Sequence, residues 1–193
     1  MATLTSQLES VNVMLSHIGE SPINSLEGSL PVSAITALAT LKEVSKEVQS
    51  EGWHFNYENN VTLTPSSGSI NIPSDAIQID ANDTAVDVVQ RGEVLFDRNS
   101  NTSTFTESIK VNLIRLLNWD SLPEEARRYI TLRASRIFQG RVVGSRELEA
   151  LIARDEYQAR SRLEESDYGS SDRTIFDNFD AATRIGINRN YDI

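Results

Sequence analysis

The sequence predicts an α+β fold: an antiparallel helical bundle (two N-terminal plus two C-terminal helices) with an inserted small antiparallel β domain and an extended C-terminal tail. Three observations predict it. Apolar residues recur at three and four positions before residue 57 and again after 118, which is the period of an α-helix. Between those stretches the period shortens to two, and Val, Ile, Thr, Asn and Asp dominate. Beyond residue 168 periodicity is lost. The implied division is 1–56 and 118–168 for the bundle, 57–117 for the β domain, and 169–193 for the tail.

Each element has its own signals. Leu8, Val11, Leu15 and Ile18 make the first stripe, with Ser6 and Glu9 spaced as a capping box and Gly19 as a stop. Glu20-Ser21-Pro22 and Gly28 mark a turn region. A second helix is expected from Pro31 to Glu51, with Ile35, Leu38, Leu41, Val44 and Val48 inward and Gly52 ending it. In the β domain, Val61 with Leu63, Ile70 with Ile72, Ile77 with Ile79, and Ile109 with Val111 and Leu113 alternate with polar residues. Arg91-Gly92 before Val94-Leu95-Phe96 reads as a hairpin turn, and Asn99 to Ser103 as a polar loop tip. The third helix is capped by Ser121, opens with Pro123-Glu124-Glu125, and has Ala126, Ile130, Ala134 and Ile137 as its stripe. Gly140 and Gly144 bracket a break. Ser145 then caps a fourth helix with Leu148, Leu151, Ile152, Ala159 and Leu163 inward.

Composition narrows the function. The chain has 193 residues and a net charge of −10, from 18 Lys and Arg against 28 Asp and Glu. Phosphate neutralisation drives general nucleic-acid binding, so an acidic chain is not expected to be such a binder. There is no cysteine, which removes disulfides, thiolate catalysis and Cys-based zinc sites and is compatible with folding in a cytoplasm. Met1 to Glu9 has no basic start and no apolar run, so no signal peptide is expected. No stretch approaches the roughly 20 apolar residues of a membrane span, so no membrane anchor is expected.

The residues do not assemble a catalytic set. Only His17 and His54 are present, and neither adjoins a nucleophile-elbow pattern. His17 falls in the last turn of the first helix, and His54 lies between Trp53 and Phe55 at a helix-to-strand corner; packing or capping roles are expected for both. Asp80, Asp83 and Asp87 lack the Gly and terminal Glu of a calcium loop and read as an acidic edge. The nine glycines form no phosphate cradle. Neither an enzymatic activity nor a cofactor or metal is expected. Trp53, Phe55 and Trp119 are expected as structural anchors.

The arginines say more. Residues 118–165 hold nine basic and nine acidic side chains, and all nine basics are Arg. Arg127, Arg128, Arg133, Arg136 and Arg141 fall on one helix, and Arg146, Arg154, Arg160 and Arg162 on the next. One reading is a solvated face with ordinary i,i+4 pairs, such as Glu124 with Arg128. The other is docking on an acidic neighbour, because Arg tolerates partial burial and is enriched in interfaces. On that second reading Arg127, Arg128, Arg133 and Arg136 are subunit or partner contacts. Phe176, Phe179 and Tyr191 in the aperiodic tail are too, since such a segment is either disordered or laid along a partner.

An ordered series of short stretches also carries a family resemblance. It runs through Val11-Asn12, Ile18-Gly19-Glu20-Ser21-Pro22 and Ser25-Leu26-Glu27-Gly28, then Val48-Gln49-Ser50-Glu51-Gly52-Trp53-His54-Phe55-Asn56. It continues with Val111-Asn112-Leu113-Ile114-Arg115-Leu116, Trp119-Asp120, Leu122-Pro123-Glu124, Arg133-Ala134-Ser135-Arg136 and Asp167-Tyr168-Gly169. In order and spacing from about residue 8 to 169 the chain resembles the tail tubular protein A family of short-tailed phages (podoviruses), also called adaptor or gatekeeper proteins. The resemblance is weakest over 65–105 and after 170.

That resemblance implies a structural virion protein and not an enzyme. It implies a helical bundle with a β domain, assembled as a dodecameric ring at the head-to-tail interface. The ring would bind the portal protein on one side and the nozzle protein (tail tubular protein B) on the other, with tail fibres near the junction. Phage DNA would pass through the lumen, non-specifically, during packaging and ejection. Synthesis in the host cytoplasm follows. An acidic lumen would repel phosphate and let DNA slide. Two alternatives stay open: a tail-associated glycan hydrolase, and a monomeric protein-binding module.

Overall fold

The computed structural model describes residues 4–83 and 86–170. Its architecture is mixed α and β, with four α-helices and small antiparallel sheets. Helix α1 spans Gln7–Ser16, and the Ser6/Glu9 capping box closes its N-terminus. Its other end is a Schellman turn: Glu20 N donates to Leu15 O at 3.0 Å and Gly19 N to Ser16 O at 3.1 Å. Gly19 sits there at φ 77°, which a side chain would resist. Helix α2 spans Val32–Gln49, with Pro31 just outside it.

The inward face of α2 differs from the expected stripe. Ala34, Ala37, Thr40, Leu41, Val44 and Val48 are buried, whereas Ile35 is 53% exposed. Leu38 is only partly covered. The stripe turns by about one residue because two alanines face the core and let neighbouring helices approach. Leu41, Val44 and Val48 face the core as expected, and only toward the helix start do the alanines take the place of Ile35 and Leu38.

Five strands follow. β1 (Tyr57–Leu63) and β2 (Ala76–Ala81) flank β5 (Ile109–Arg115), both antiparallel to it. β3 (Val88–Arg91) and β4 (Val94–Asp97) form the hairpin, with Arg91 opposite Val94 across the Gly92-Glu93 turn. Ile70 and Ile72 are buried but lie outside any strand; their segment leans on the hairpin through Leu95 N to Ile70 O and Ile72 N to Glu93 O, both 2.9 Å. Val111 and Leu113 of the central strand pack with Ile70, Ile72, Ile79, Val88, Leu95 and Phe105 in one apolar cluster.

A 3-10 turn at Trp119–Ser121 leads into α3 (Glu124–Val142). Pro123, not Ser121, is the residue before this helix. Gly140 lies inside α3, and only Gly144, at φ 68°, stands at the break. α3 is covered on nearly every side: Ala126, Tyr129, Ile130, Thr131, Leu132, Ala134, Ser135 and Phe138 are all buried. α4 spans Arg146–Ser170, so residues 169 and 170, expected to begin the tail, are helical. Its inward residues are Ile152, Glu156, Ala159 and Leu163, while Leu148 and Leu151, expected inside, are exposed. The four helices share a second apolar cluster that includes Met14, Leu41, Val48, Trp53, Tyr129, Phe138 and Leu163.

Candidate functional site

The arginines of α3 and α4 face acids of neighbouring helices. Glu43, Glu47 and Glu51 recur every four residues near the end of α2 and meet Arg141, Arg133 and Arg160 respectively. Arg141 grips Glu43 with both terminal nitrogens, at 2.8 and 2.9 Å. That hydrogen bond holds the Glu43 carboxyl below its ordinary pKa. Between α3 and α4, the largely buried Glu156 carboxylate accepts from both Arg133 and Arg136. Arg160 bonds Glu164 one turn on, at 2.8 Å, and the Tyr129 hydroxyl, at 3.1 Å. The result is a cross-brace tying α2, α3 and α4 together.

Arg127 does something different. It is 4% exposed and bonds three backbone carbonyls: Leu122 and Thr5 at 2.9 Å and Asp120 at 2.8 Å. Trp119 Nε1 donates to the same Thr5 carbonyl at 3.0 Å, and Thr5 N donates to Glu124 Oε2 at 2.8 Å. Glu124 thus holds the segment before α1 and does not pair with Arg128. Arg128 is exposed and has no ion pair among the described residues.

A joint connects helices to sheet. Trp53 is 6% exposed, and its Nε1 donates to Val48 O at 2.7 Å. The buried Asn56 amide donates to Gln49 O and Arg115 O, both at 2.8 Å. Gln49 Oε1 accepts from Leu117 N at 2.7 Å. Two buried amides therefore stitch the end of α2 to the exit of β5. Phe55 is partly buried against the helical cluster, as is Trp119. His54 donates its backbone N–H to Asp167 Oδ1 at 2.6 Å, and its Nδ1 lies 2.9 Å from the same oxygen, fixing the last turns of α4 to this corner. His17 caps the end of α1; burial pushes its pKa down, opposed by Asp155 and reinforced by Arg128.

Of the residues singled out in the sequence, Arg133 and Arg136 share Glu156, and Arg127 and Trp119 share Thr5. Arg128 stands apart. Phe176, Phe179 and Tyr191 lie outside the described residues. Sequence reasoning missed Glu43, Glu47, Glu51 and Glu156, the partners that draw the arginines inward. The signal was present in the four-residue spacing of Glu43 and Glu47 on α2 and Glu51 just beyond its end. Tyr157 and Tyr168 are 73% and 76% exposed on α4. No helix of the described residues is long and apolar enough to cross a membrane. No group of three acids or histidines among those residues is placed to hold a metal ion.

No curated protein matches the chain. The family described as "Tail tubular protein" matches residues 8–172, a stretch that takes in the described helices (α1 from its second residue), the sheets, the cross-brace and the joint. That is well over half of the sequence, and the chain therefore belongs to the tail tubular protein family, structural proteins of the phage tail.

Proposed function

We propose that this protein is the adaptor that joins the portal of a short-tailed phage to its tail nozzle, as one subunit of a closed ring. The observation that carries the reading is the family match across residues 8–172. A ring around a DNA channel must keep its shape under load, and the arginine cross-brace is suited to that. In this reading the helical segments 1–56 and 118–168 form an antiparallel bundle that is the body of the subunit. The 57–117 segment is a β domain inserted into it, and the C-terminal residues beyond α4 reach a partner through Phe176, Phe179 and Tyr191. Arg128 is offered to a neighbour, while Arg127, Arg133 and Arg136 act on assembly through the helix geometry they fix. The ring has twelve subunits, contacts tail fibres near the nozzle, and passes DNA through an acidic lumen. The function is adhesive and mechanical, without chemistry on a substrate.

The test is the mass of the purified protein, alone and mixed with its portal protein, by light scattering after size exclusion. A closed ring in either sample supports the adaptor. A monomer that ignores the portal overturns it and favours a monomeric binding module.

A further inference from the structure

The exposed large apolar side chains of this protein are confined to its helical part. Among the described residues none lies between 57 and 117, whereas Val32 is 80% exposed, Leu151 64%, and Ile35 and Leu148 are also open. An apolar partner surface would therefore meet helices and not the β part. α2 and α4 both pack on α3 and scarcely on each other. Ion pairs mark how each is turned. Glu43 and Glu47 define the side of α2 that meets the arginines of α3, and Glu51 just past it meets Arg160 of α4. At about 100° per residue, Ile35, Lys42 and Lys46 fall more than a right angle round from Glu47, turned away from that row. On α4, Arg160 marks the side turned to α2. Leu151 falls about half a turn round from it, with Leu148, Asp155 and Arg162 on the same side. The two exposed flanks thus lie on opposite sides of the helical part.

The flanks also differ in charge. Lys42 and Lys46 are the only cations of α2, are exposed, and have no ion pair among the described residues. The α4 flank carries exposed Glu147, Asp155 and Glu165 against Arg162, with Arg154 at its rim, and none of the three acids has an ion pair among the described residues. Both flanks run in the same order along the molecule. Ile35 stands in the half of α2 away from the joint, and the lysines stand nearer it. Leu148 and Leu151 stand in the half of α4 away from the His54 corner, and Asp155 and Glu165 stand nearer it. Two unlike, complementary surfaces on opposite sides of one chain are what a head-to-tail contact between identical subunits requires. We propose that the Ile35, Lys42 and Lys46 flank of α2 docks on the Leu148, Leu151 and Asp155 flank of α4 in a second copy of this chain, apolar on apolar and lysine on carboxylate. The inference rests on the ring reading and names its repeated contact.

Opposite flanks of one chain cannot reach each other, so a covalent link between them reports a second copy. The photo-crosslinker p-benzoyl-phenylalanine is placed at the exposed position 35 of the full chain. The protein is irradiated in the assembled state, alone or with the portal protein, and the crosslinked peptides are identified by mass spectrometry. The expected product is a ladder of multimers whose crosslinks fall within residues 142–158 of the neighbour. In parallel, Lys42→Glu with Lys46→Glu should raise the concentration for half-assembly about tenfold or more, with unchanged helical circular dichroism. Adding Glu147→Lys, Asp155→Lys and Glu165→Lys to that chain should restore assembly. If light scattering shows a ring while position 35 crosslinks elsewhere or not at all, or while assembly ignores the lysine substitutions, the inference falls and the ring stands. If no assembly forms with or without the portal, both fall.

Discussion

At the residue scale the joint and the buried caps concentrate stability in a few side chains. Trp53 is buried and bonded through its indole N–H, so Trp53→Ala should lower unfolding free energy by about 3–5 kcal/mol in denaturant titration. Unchanged denaturant midpoint would remove it as an anchor. Gly52 is a sharper case than other glycines of the chain. It has φ 78°, and a Cβ there would lie 2.8 Å from Ile114 Cδ1. Gly52→Ala should therefore cost more than Gly92→Ala, whose position is equally left-handed but open, and both should exceed about 1 kcal/mol. His17 gives a pH signature. Its pKa is lowered in the folded protein, so the unfolded chain binds more protons once the pH drops below the ordinary value of 6.5. The His17 contribution is fully present above that value and is lost as the pH falls toward the folded pKa. His17→Gln should flatten the loss of stability between about pH 7 and 5, measured by denaturant midpoints across that range.

At the scale of elements the cross-brace predicts unequal costs for similar substitutions. Glu156 is largely covered and shared by Arg133 and Arg136. Replacing it with Gln removes the covered anion that two guanidinium groups share and leaves them only the more exposed Glu47 and Glu149, and a loss of roughly 3 kcal/mol is expected. Glu43 with Arg141 is more than half exposed on both sides, and Glu43→Gln should move stability far less, because solvent screens the pair. The difference in thermal midpoint between the two variants is the measurement. Equal shifts would mean that burial is not what gives the brace its strength. The same contrast sorts salt effects, because exposed pairs are screened more than covered ones.

At the scale of the molecule, two apolar clusters meet at one joint. The ends of the β part are neighbours, since Tyr57 stands opposite Ile114 across the sheet. The helices on either side therefore arrive at nearly the same point. Replacing residues 58–113 by a short Gly-Ser linker should leave a chain that melts cooperatively with strong helical circular dichroism. A non-cooperative melt would show that the helical cluster depends on the β part for its order.

Several features of this protein were fixed locally and are legible in the sequence. The Ser6/Glu9 box, the Gly19 stop, the Gly92 hairpin and the change of period near Trp53 and Leu117 each depend on neighbours a few positions away, so short-range chemistry sets them. The ordered run of short stretches between residues 8 and 169 likewise pointed to the family that matches 8–172. Other features belong to contacts between distant residues. Ala34 and Ala37, not Ile35, face the core because the direction of a helix face depends on which neighbour packs closely. Arg127 turns inward because the carbonyls of Thr5, Asp120 and Leu122 converge on it, and only the chain's path brings them together. Arg133 and Arg136 meet Glu156 across a helix pair, while Arg154 and Tyr157, on the opposite face of the same partner helix, are left bare. An arginine's spacing fixes its place on a helix; whether that place is a brace or a docking face is decided by what the fold sets beside it, because charge pairing acts through space and not along the chain.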